Sequence, residues 1–86
     1  MPYIKQGKRD VLAPHLAALA KEIATEGELN YCIYKLPCLL IEKMGASYDN
    51  YSMCSSAMEH AKPEWCRRQV SLHEDKKILE KVIYDA

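Results

Sequence analysis

Four cysteines (Cys32, Cys38, Cys54, Cys66) and three histidines (His15, His60, His73) are the residues of this 86-residue chain best suited to metal or nucleophile chemistry. Structural zinc sites draw on ligand pairs two to four residues apart, and no such cysteine or histidine pair occurs here. Cys32 and Cys38, like Cys54 and His60, stand six apart, about 240° around a helix, so their side chains diverge. Core thiols and surface histidines are the preferred reading, with no metal and no cofactor. A cysteine–histidine nucleophile needs no adjacency in sequence. Acyl transfer also needs an oxyanion hole and a pocket, and so short a chain leaves little volume for them. Gly7, Gly27 and Gly45 stand singly, so no glycine-rich phosphate loop exists. A non-catalytic chain is expected, with a small cysteine-dependent hydrolase as the disfavoured alternative.

Binding chemistry offers better leads. Arg68 falls in a series of heptad-like spacing, Tyr51, Cys54, Met58, Ala61, Trp65, Arg68, Leu72, where apolar side chains belong. A buried guanidinium must be paired. Glu64, four residues earlier, offers a helix-surface ion pair, and Trp65 a stacking face. The bland reading is that Arg68 snorkels out to Glu64; the functional one is an anion site shared with Arg67. The aromatic choice is skewed as well, with six tyrosines and no phenylalanine. Tyrosine joins a flat apolar face to a polar handle, which suits core edges, interfaces and stacking on bases. Tyr31 and Tyr34 share a helix spacing that Tyr48 and Tyr51 repeat. With Asn30 beside Tyr31, the candidate ligand- or partner-binding residues are Asn30, Tyr31, Tyr34, Tyr48, Tyr51, Trp65, Arg67 and Arg68.

The elements that must position these residues read as helices. Residues 1–13 are expected to be irregular, with at most a short turn. A first helix spans 14–26: Pro14 opens it, where a missing N–H costs nothing, and Leu16, Leu19, Ala20 and Ile23 form its apolar face. Gly27 is its expected stop. A second helix spans 28–44 with two apolar stripes, Leu29, Ile33, Leu36, Leu40, Met44 and Tyr31, Tyr34, Cys38, Ile41. Gly45-Ala46-Ser47 breaks the chain, Ser47 serving as N-cap, and a third helix spans 48–72. Kinks are expected at Pro37 and Pro63. In the 73–86 tail, Ile78, Leu79, Val82 and Ile83 suit a short amphipathic helix. The fold class is all-α, a small antiparallel bundle of three main helices plus this C-terminal helix. Two apolar stripes on one helix of so small a domain imply that one of them meets a second copy, making a homo-oligomer.

Lysine plus arginine and aspartate plus glutamate each count 12, and no segment departs from neutrality by more than one charge. That balance argues against coating bulk nucleic acid. The 49% of hydrophobic residues suits one globular domain. No run of about 18 apolar residues exists to span a membrane. Met1 to Gln6 carry no apolar run of signal-peptide type, so a cytoplasmic location with free thiols is expected.

The chain resembles a family of short proteins of bacteria and their phages. The resemblance rests on Met1-Pro2-Tyr3-Ile4, Gly27-Glu28-Leu29-Asn30-Tyr31, Ser47-Tyr48, Arg67-Arg68 and Glu74-Asp75-Lys76-Lys77-Ile78, in order along nearly the whole chain. It departs from the pattern at Ala13, where members carry a capping Asp, at Pro37 and Pro63, and in Leu79 to Ile83, where members have an Asn-Gly-Asp turn. No activity comes with the resemblance, which implies a phage or mobile-element context, and hence host cytoplasm. The functional expectation is a binding protein that inhibits or modulates a host protein, such as a defence protein, through a helical face rich in Tyr, Trp and Met. The alternative is a homo-oligomeric sponge holding an anionic nucleotide signal between Arg67, Arg68 and tyrosine rings.

Overall fold

The computed structural model describes residues 4–85, with side chains described over residues 4–81. Every regular element in that span is helical: α1, Gln6–Glu22; α2, Glu26–Met44; α3, Tyr48–Trp65; a π turn, Cys66–Val70; and α4, Ser71–Asp85. The chain divides into two units, Met1–Leu39 and Leu40–Ala86, the division falling within α2.

In the first unit α1 begins well before Pro14. Lys5 enters in extended backbone, and its carbonyl takes the N–H groups of Lys8 (3.0 Å) and Arg9 (3.1 Å). Gln6 Nε2 donates to Asp10 Oδ1 one turn on, at 2.8 Å. Pro14 therefore lies inside the helix and not at its first position. Lys8, Arg9, Leu12 and Ala13 are good helix formers. The Asp10 carbonyl left without a donor by the proline belongs to an exposed residue, so water can satisfy it. The absent aspartate at position 13 is immaterial, because Ala13 is mid-helix. Residues 1–3 of the expected irregular segment lie outside the described residues.

Gly27 is not the stop of α1. The chain leaves that helix at Ile23, in extended backbone, and Gly27 lies in the first turn of α2. A reciprocal cap starts α2. Glu28 N–H donates to Thr25 Oγ1 (3.1 Å), and Glu28 Oε1 accepts from the N–H groups of Ala24 (2.6 Å) and Thr25 (3.1 Å). That is the Thr-x-x-Glu capping box, which satisfies donors at a helix start. From there α2 runs through Pro37 as one helix.

In the second unit the α2–α3 corner matches expectation. Gly45 takes φ +102°, the left-handed region open to glycine, and its N–H reaches the Ile41 carbonyl at 2.8 Å. Ser47 caps α3 by accepting the Asn50 N–H at 3.1 Å. The Asn50 side chain donates back to the carbonyls of Gly45 (2.9 Å) and Met44 (3.4 Å), tying the two helix ends together.

The third helix does not end at Leu72. Past Trp65 the backbone stays helical through the π turn, closed by Ser71 N–H to the Cys66 carbonyl, and on into α4. Neither glycine nor proline interrupts residues 66–85, so the tail is a helix continuous with α3. The side chains of Val82 and Ile83, expected on its apolar face, lie outside those described.

Covered surface is scarce. Among the described residues only Cys54 is buried. Ile23, Cys32, Pro37 and Cys38 in the first unit, and Leu40, Ile41, Asn50, Ser56, Glu64 and Val70 in the second, are half-buried. Of the expected α2 stripe, Leu29, Ile33, Leu36 and Met44 are exposed.

Candidate functional site

The candidate residues fall in both units. Asn30, Tyr31 and Tyr34 belong to the first; Tyr48, Tyr51, Trp65, Arg67 and Arg68 belong to the second. All eight are exposed.

On α2, Tyr31 and Tyr34 stand three residues apart on one face, with 61% and 68% of their surface open. The Tyr34 phenol titrates above its ordinary value, chiefly through a side-chain hydrogen bond to Cys38 one turn on and through Coulombic coupling to that thiol. Partial desolvation adds to the rise, and Lys35 opposes it.

The second unit concentrates charge at the start of the π turn. Arg67 Nη2 lies 2.8 Å and Arg68 Nε 2.6 Å from the same oxygen, Glu64 Oε1. The expectation that Arg68 turns outward to Glu64 is met, and Arg67 joins it. Desolvation pushes the Glu64 carboxyl up, but the Arg67 hydrogen bond and the charges of Arg67 and Arg68 outweigh it and hold the group below the usual carboxylate range. Half or more of each arginine side chain stays open, leaving donors for a further acceptor.

Tyr48 and Tyr51 are not beside those arginines. Tyr51 precedes Arg68 by 17 residues along helical backbone, roughly 25 Å at 1.5 Å per residue. Tyr48 and Tyr51 crowd the first turn of α3, while Trp65 and the arginines mark its other end.

All four cysteines are free thiols. Only Cys54 is the buried apolar residue expected of all four; Cys32 and Cys38 are half-buried and Cys66 is exposed. Cys66 opens the π turn, whose residues are exposed up to Gln69, with Val70 half-buried. His60 Nδ1 lies 3.4 Å from Ser56 Oγ on α3. Among the described residues, no three His, Cys, Asp or Glu side chains gather where they could hold a metal ion. No helix among the described residues is long and apolar enough to cross a membrane.

Two features escaped the sequence reading. The Thr25–Glu28 capping box was visible as Thr-Glu-Gly-Glu, but glycine drew the boundary to itself. The π turn gave no signal, because apolar residues continue through it at α spacing.

A family model described as a domain of unknown function, DUF6899, matches residues 1–82. The chain belongs to the DUF6899 family. No curated protein and no solved structure matches it. The match takes in every candidate site residue, so the exposed tyrosines, Trp65 and the Glu64–Arg67–Arg68 cluster all lie within the DUF6899 domain.

Proposed function

We propose that this DUF6899 chain is a non-catalytic binding protein of phage type that works by presenting helical faces. It completes an antiparallel bundle with further copies of itself, and it inhibits or modulates a host protein, in the host cytoplasm, through Tyr31, Tyr34, Trp65 and neighbouring apolar residues. One observation carries the reading: side chains that normally build a core lie in water. Leu16, Leu36, Ile78 and Leu79 are each more than half exposed. Each such residue that moves into an apolar contact contributes on the order of 1.5–3 kcal/mol. Most helical stability in proteins comes from packing an amphipathic face, so an apolar partner surface would stabilise fold and complex together. Tyrosine and tryptophan are the residues that most often anchor such contacts.

The test is capture from host lysate with immobilised protein, comparing wild type with Tyr31→Ala, Tyr34→Ala and Trp65→Ala. Loss of a captured protein with unchanged helicity supports the reading. Equal capture by all four proteins contradicts it. The nucleotide sponge is less favoured, because Glu64 already neutralises part of the charge of Arg67 and Arg68 and an anion must compete with it.

A further inference from the structure

We draw no further inference here: the strongest candidate, the apolar surface of α4 on which Leu72, Ile78 and Leu79 are each more than half exposed, carries nothing, because nothing in the structure shows what covers it.

Discussion

Glu64 accepts two guanidinium groups on one carboxylate oxygen, and the sign of its titration follows from that arrangement. Its carboxyl sits below the ordinary range. Its contribution to helix stability is therefore present above the usual carboxylate pKa and is lost as pH falls through the lowered value. Helicity followed by circular dichroism between about pH 5 and pH 2 should show a late acid step in wild type that Glu64→Gln lacks. The phenol of Tyr34 shifts in the opposite sense, since its bond to Cys38 favours the neutral form. In an ultraviolet titration the Tyr34 phenol should ionise above its ordinary value, and Cys38→Ala should lower the pH at which it does so. The pairing of Arg68 with Glu64 was legible from their four-residue spacing. The second claim on the same oxygen, by Arg67, was not, because i+3 and i+4 partners compete and only the rotamers decide between them.

Helix boundaries obeyed hydrogen-bond chemistry more closely than they obeyed glycine and proline. Ser47 and Gly45 were readable, one as a cap and the other as a left-handed terminus. Pro14 and Gly27 misled, because both residues also occur inside helices whose surfaces are open to water. Thr25→Ala should destabilise the α2 start by about 1 kcal/mol, seen as lost helicity and a lower melting temperature. Gly27→Ala should act the other way, by up to about 1 kcal/mol, since an added Cβ meets nothing closer than Thr25 Oγ1 at 4.0 Å. The π turn was invisible for a different reason. Periodicity reports which residues would share a face at 3.6 per turn, and a one-residue shift in the ladder leaves that pattern in the sequence untouched.

For the molecule as a whole, the apolar stripes showed from spacing alone that the chain is helical and which faces are greasy. They did not show what covers those faces, since a stripe reads the same against a neighbouring helix, a second copy or a foreign protein. With Cys54 the sole buried residue among those described, the proposed account places the missing cover in another chain. The measurement that tests this most directly is the solution mass of the purified protein by sedimentation equilibrium across the micromolar range. The account predicts a multiple of the 9.9 kDa chain mass, dissociating on dilution with loss of helicity. A monomer of 9.9 kDa at every concentration, with full helicity and a cooperative melt, would contradict it.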